Sequence, residues 1–140
     1  MKKSSLLSAV VLCLSCILLA ACSNKSSDKN FSISDGEKEK YIETAQNTIT
    51  LFNEQKSDEI REISDEILKN ALTDDKLSEI YEHLKTCGEF EKFLESNITG
   101  VEQNGQTFIV VVQQAKYKEN TLTYTISFDK DEKLAGIFYK

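Results

Sequence analysis

Proline and tryptophan are missing from this chain, and glycine occurs only five times in 140 residues. Without proline there is no rigid linker and no cis-proline turn. The scattered glycines form no phosphate-cradling loop, and neither a paired-cysteine metal motif nor a nucleophile elbow is present. No cofactor and no metal are therefore expected. Basic residues are also scarce: 17 lysines and arginines, with Arg61 the only arginine, stand against 23 acids, for a net charge of −6. Nucleic-acid binding draws its affinity from clustered Lys and Arg that displace phosphate counterions, so no nucleic-acid partner is expected.

What is present begins with one apolar run. Met1-Lys2-Lys3 supplies a positive start, Leu6 to Leu19 is apolar, and Ala20-Ala21-Cys22 closes the run. At about 14 residues it is short of the roughly 20 that a membrane-spanning helix needs. It has the plan of a secretory signal, with small residues at the cleavage point between Ala21 and Cys22. Leu19-Ala20-Ala21-Cys22 resembles the lipobox of exported bacterial lipoproteins, whose first mature residue is a lipidated cysteine. The resemblance implies lipidation at Cys22, a membrane partner through the lipid anchor, and residence on the extracytoplasmic face of the cell membrane. Two acyl chains suffice for stable anchoring.

Removing residues 1–21 leaves one domain's length and takes away Lys2 and Lys3 but no acid, so the remainder is more acidic still. Anionic headgroups repel such a body, and the domain is expected to stand off the membrane. Cys13 and Cys16 leave with the signal and Cys22 is consumed by lipid. Only Cys87 remains, so no intrachain disulfide can form and the fold must be held by packing and hydrogen bonds.

The expected organisation is a signal peptide over 1–21, a lipidated flexible tether over 22–36, and an α+β domain over 37–140. Ser34 and Glu37 form a capping box for helix one, with Tyr41, Ile42, Ala45, Ile49 and Phe52 at helical spacing and an end near Asn53. Ser57 starts helix two, with Asp58 and Glu59 near its positive end and Ile60, Ile63, Ile67 and Ala71 as its buried stripe. Thr73 starts helix three, where Leu77, Ile80, Tyr81 and Leu84 face inward and Gly88 is the left-handed cap. The period then changes from 3.6 to 2. Asn104-Gly105 is a two-residue hairpin signal between a strand around Phe93–Glu102 and another at Gln106–Tyr117. Leu122, Tyr124, Ile126 and Phe128 alternate with Thr and Ser in a third strand, and Lys133–Tyr139 is the last. Three N-terminal helices packed on a four-stranded antiparallel sheet follow.

This order resembles the nuclear-transport-factor-2-like (cystatin-like) folds, which implies a curved sheet whose concave face is filled by helices. More narrowly, the chain resembles the bacterial extracytoplasmic family called domain of unknown function 3887, over about residues 38–140. Ala71-Leu72-Thr73 with Leu77 and Tyr81, then Gly88-Glu89-Phe90, then Leu134-Ala135-Gly136-Ile137-Phe138 carry that resemblance. Some relatives place the domain ahead of an α/β-hydrolase; with the sequence stopping after the last strand, no such catalytic partner is expected. The family supplies no catalytic residues to transfer.

Candidate chemistry is sparse. His83 and Cys87 stand four apart on one helix, where a histidine can generate a thiolate, yet Cys87 also fits the edge of an apolar stripe. Glu59, Glu62 and Glu66 share a face of helix two, which reads as a solvated surface before it reads as a cation site. Positions named as possible pocket lining are Tyr81, Phe108, Val110, Tyr124, Ile126 and Phe128, with Val112 and Leu122 also read as inward-facing. None is a carboxylate or an imidazole, so no catalytic residue is assigned. The leading expectation is a lipid-anchored, extracytoplasmic, non-enzymatic binding module. The alternative is a small-ligand carrier or cavity enzyme of the nuclear-transport-factor-2-like type. Phe108-Ile109-Val110-Val111-Val112 is apolar on both faces, which points either to a protein or peptide partner, or a homodimer, through the sheet, or to local cover by a terminal segment.

Overall fold

Ser34 opens the first helix by reciprocal capping: its hydroxyl accepts from the Glu37 amide, and the Glu37 carboxylate accepts from the Ser34 amide at 3.0 Å. The computed structural model describes residues 33–140. Cys22, the Ala21–Cys22 cleavage point and the tether up to residue 32 lie outside the described residues. Helix α1 runs Asp35–Asn53 and buries Ala45, Thr48, Ile49 and Phe52. It is followed by α2 (Ser57–Ile63), α3 (Glu66–Ala71) and α4 (Asp74–Thr86), then by β1 (Phe90–Gln103), β2 (Gln106–Tyr117), β3 (Thr121–Phe128) and β4 (Leu134–Tyr139). The strands form one open antiparallel sheet in the order β1-β2-β3-β4.

Among the described residues there are four helices where the spacing predicts three. Ser64 and Asp65 are extended, the Asp65 amide donates to the Leu134 carbonyl at 2.8 Å, and the Asp65 carboxylate caps the Leu68 amide at 2.7 Å. Ser and Asp compete for backbone hydrogen bonds, and here they end one helix and begin the next. The break shifts the phase of the buried stripe. Ile60 and Leu68 are buried, whereas Ile67 is 81% exposed, contrary to the stripe read from a single continuous helix. It also places Glu66 on α3, so Glu59, Glu62 and Glu66 do not share one helix. Ser57 is the first residue of α2, and its hydroxyl meets the Tyr81 hydroxyl at 2.9 Å.

Arg61 ties this broken segment together: its Nε donates to the Leu72 carbonyl at 3.0 Å and its guanidinium pairs with Asp74. Thr73 caps α4 as expected. Gly88 has φ +82°, and a Cβ there would meet the Lys118 Cβ at 3.0 Å, so left-handed backbone and close packing both call for glycine.

Asn104 and Gly105 have φ of 53° and 75°, the primed hairpin turn whose twist suits antiparallel strands. It pairs Gln103 with Gln106 and fixes the register of β1 on β2. β1 is longer than predicted and carries irregularities at Phe90/Lys92 and Phe93/Ser96. Val111, Ala115 and Tyr117 of β2 and Leu122, Tyr124, Ile126 and Phe128 of β3 join Ala45, Ile49, Phe52, Ile60, Leu68, Leu77 and Leu84 in one core. The helices thus cover a single sheet face.

The phase of β2 is the reverse of the one expected. Ile109, Val111, Gln113, Ala115 and Tyr117 are buried, and Val111 pairs with Ile126 across the strands. Because alternate residues point to opposite faces, Phe108, Val110 and Val112 lie on the face without helices.

The break between α2 and α3 makes a sharp expectation. Leu68→Ala should lose about 2–4 kcal/mol of unfolding free energy, as for a fully packed leucine, whereas Ile67→Ala should change it by less than about 0.5 kcal/mol. Urea denaturation of the two variants decides it; comparable losses would restore the uninterrupted helix.

Candidate functional site

Between helices and sheet, buried side chains pack into one cluster. Of the positions named as possible pocket lining, Tyr81, Tyr124, Ile126 and Phe128 are buried members of the core. Phe108 and Val110 lie on the opposite side of the sheet. The six residues therefore do not line one cavity.

The polar content of that interior is spent on itself. The Tyr117 hydroxyl lies 2.8 Å from Asn53 Oδ1 and 2.6 Å from the Tyr124 hydroxyl. Asn53 Oδ1 can only accept, so Tyr117 donates to it and accepts from Tyr124. Burial raises the hydroxyl pKa of both tyrosines, and burial pushes Tyr139 up to about 12. Tyr139 packs its ring against Tyr124 on one side and stacks on the His83 ring, at 5.4 Å, on the other.

His83 and Cys87 do not form a nucleophile pair. The Cys87 thiol is fully buried; it contacts the backbone carbonyl of His83 at 3.6 Å and the Asn120 amide at 3.8 Å. The imidazole is directed to Tyr139 instead.

Gln113 is the polar residue that the reading of the strands missed. It is fully buried, its Oε1 accepts from Gln46 Nε2 at 3.0 Å, and its Nε2 lies 3.2 Å from Leu94 O, 3.3 Å from Glu95 O and 2.9 Å from Gln114 O. These carbonyls belong to the irregular stretch of β1 and to Gln113's own neighbour. A side-chain amide thereby occupies acceptors that a regular ladder would have used. Among the described residues, every buried side-chain nitrogen and oxygen has a partner, and no group of three His, Cys, Asp or Glu is placed to hold a metal ion.

The opposite face of the sheet is different in kind. Register places Val101 beside Phe108; Thr99, Val110, Ser127 and Gly136 in one row; and Asn97, Val112, Thr125 and Phe138 in the next. None of these ten residues is ionisable, in a chain that is 29% charged. Phe138 is 54% and Val101 40% exposed. Lys116, two positions beyond Gln114 on the same alternation, is exposed and pairs with the exposed Glu91 at 2.8 Å, which marks this face as the solvent side.

A small groove of about 230 Å³ opens beside the start of α1, lined by Ile33, Glu37, Tyr41, Thr107, Ile109, Asp129 and Lys130. The nearby Lys40 and Glu132 form an ion pair at 2.5 Å. Burial, followed by the Glu132 carboxylate, raises the Tyr41 pKa. The groove brings the first described residue to the end of the sheet where β2 begins and β3 finishes.

The family described as "Protein of unknown function (DUF3887)" matches residues 45–137, from α1 to β4. The chain belongs to this family. Its matched span takes in the buried core, Tyr117, Tyr124, Gln113 and the uncharged residues of the outer face as far as Gly136, while Phe138 and Tyr139 lie just beyond it. The chain is also similar to a solved structure described as "NMR structure of protein from Ruminococcus gnavus ATCC 29149", with TM-score 0.67 and 20% identity over 76% of this chain and 94% of that one. At that identity the likeness speaks for the shared α+β fold alone. No curated protein matches the chain.

Two expectations follow from the tyrosine network. Tyr117→Phe leaves Asn53 Oδ1 and the Tyr124 hydroxyl without a partner and should cost about 1–3 kcal/mol, more than Tyr124→Phe, which removes only the terminal donor. Thermal or urea unfolding of the two variants tests the order. The raised pKa values also set a pH dependence. A tyrosine whose folded pKa lies above its unfolded value of 10 stabilises fully below pH 10, and that contribution is lost as pH rises through the folded value, about 12 for Tyr139. Stability measured at pH 11.5 should fall below that at pH 9, with tyrosinate absorbance rising as the chain unfolds; tyrosines that ionise near pH 10 in the folded chain would contradict this.

Proposed function

We propose that this chain is a lipid-anchored, extracytoplasmic, non-enzymatic interaction module that meets a protein partner through the outer face of its sheet. The observation that carries the reading is the contrast between the two sheet faces. The inner face is filled by packed side chains whose polar atoms hydrogen-bond one another. The centre of the outer face carries no ionisable group across four strands, with exposed Phe138 and Val101, and the Lys116–Glu91 ion pair lies toward one end. A surface of that kind on an acidic domain suits association, because few charges are desolvated when it is covered. The anchor rests on Leu19-Ala20-Ala21-Cys22 and the short apolar run before it. The order of helices and strands also supports a nuclear-transport-factor-2-like, cystatin-like assignment for the α+β fold.

A second reading, a small-ligand carrier, draws on the groove beside Tyr41. Its size suits a side chain or a small amine more than a drug-sized molecule, for which pockets run from roughly 300 Å³ upward.

Mass spectrometry of the N-terminal peptide of the membrane-extracted protein tests the anchor. The expected mass places Cys22 first, with a diacylglyceryl group on its sulfur. An unmodified Cys22, or cleavage elsewhere, removes the anchor from the reading.

A further inference from the structure

We infer that the partner of the outer sheet face is a second copy of this chain, related by a two-fold axis that runs parallel to the strands between β2 and β3. The inference rests on the proposed contact face and anchor, and it adds the identity and geometry of the occupant.

Three observations converge on it. The first is shape. The line between β2 and β3 divides the face into a bulky column, Phe108, Val110 and Val112, and a small hydroxyl column, Thr123, Thr125 and Ser127, with Gly136 beyond Ser127. Rotation about that line lays each column on the other. Val110 then sits over the second copy's Ser127, and Val112 over the second copy's Thr125, with the sheets about 10 Å apart. A two-fold axis across the strands would instead press β2 on β2, bulky against bulky.

The second is charge. Two copies whose full sequence has net charge −6, and which lose Lys2 and Lys3 with the signal, repel one another over most of their surfaces. The ten central residues of this face carry no ionisable group, so two copies meet there without burying like charges.

The third is where the chain leaves the domain. Ile33 lies beside Thr107, Ile109, Asp129 and Lys130, at the end of the sheet carrying the start of β2 and the finish of β3. An axis along the strands keeps both Ile33 residues at the same end, so both tethers reach one membrane. An axis across the strands sends them to opposite ends.

The size of the face sets how strong the pairing is. Four strands by about five residues measure roughly 19 Å by 17 Å, less than the roughly 800 Å² per partner of a standard stable interface. Pairing is therefore weak in dilute solution, and confinement of both copies to one membrane raises their effective concentration.

The test uses the full anchored chain in phosphatidylcholine vesicles at several surface densities. Val112→Cys, treated with a short bis-maleimide, should give covalent dimer at least about tenfold above Glu82→Cys, which places a thiol on the exposed side of α4. Adding Ser127→Glu sets a charge at the seat of Val110 and should abolish that dimer; Thr125→Lys does the same if the first variant unfolds. Equal yields from positions 112 and 82, or a yield that survives both charged variants, would overturn the pairing. The N-terminal mass is read on the same sample. A lipidated chain that fails to cross-link at high surface density sinks the pairing and leaves the anchor standing. An unmodified chain that still cross-links from position 112 in concentrated solution sinks the anchor and leaves the pairing standing.

Discussion

The register of β2 against its neighbours is the constraint on which the rest of the molecule depends. The turn at Asn104-Gly105 holds both residues at positive φ and pairs Gln103 with Gln106. From that point alternation assigns every side chain of β2 to a face. A slip of one residue would send Val111, Gln113, Ala115 and Tyr117 to water and bring Phe108, Val110, Val112 and Lys116 onto the helices. The strand is apolar on both faces from Phe108 to Val112, so hydrophobicity there does little to choose between the two registers.

The buried polar groups supply the discrimination. Gln113 finds its partners only when β2 is in the observed phase, where Gln46 of α1 and the carbonyls of the irregular part of β1 surround it. Tyr117 likewise reaches Asn53 and Tyr124 only from the inner face. In the slipped register these groups would exchange defined partners for water while a lysine was pressed into the core, which is costly. The same two residues tie the interior of α1, at Gln46, and its last residue, Asn53, to the sheet, so the polar network and the helix–sheet packing specify one arrangement together.

This arrangement places the surfaces available for function. The interior is sealed by aromatic and aliphatic side chains, and its lone thiol faces a backbone carbonyl and an amide. The centre of the outer sheet face carries no ionisable group and is partly exposed. Association through that outer face, with the domain held outside the cell by lipid on Cys22, is the proposal that these features jointly support.

Local chemistry was legible in the residues themselves. The Ser34–Glu37 box, the Thr73 cap, the left-handed Gly88, the Asn104-Gly105 hairpin and the alternation of β3 are each decided within a few neighbouring residues, and the structure has each of them. Two features depended on contacts distant in the chain. The break at Ser64-Asp65 is held by Leu134 of β4, which lies some 70 positions away in sequence and turns an apparently continuous helix into two. The phase of β2 was ambiguous in its apolar centre, and the markers that resolve it, Lys116 outward and Gln113 inward, have opposite meanings until their surroundings are known. The sequence alone thus determined the first and last helices with their caps, the four strands and their order, because those follow from short-range backbone and side-chain geometry. Only the tertiary structure decided which face of β2 was buried and where the second helix stopped, because both outcomes are set by hydrogen-bond partners that folding brings from elsewhere in the chain.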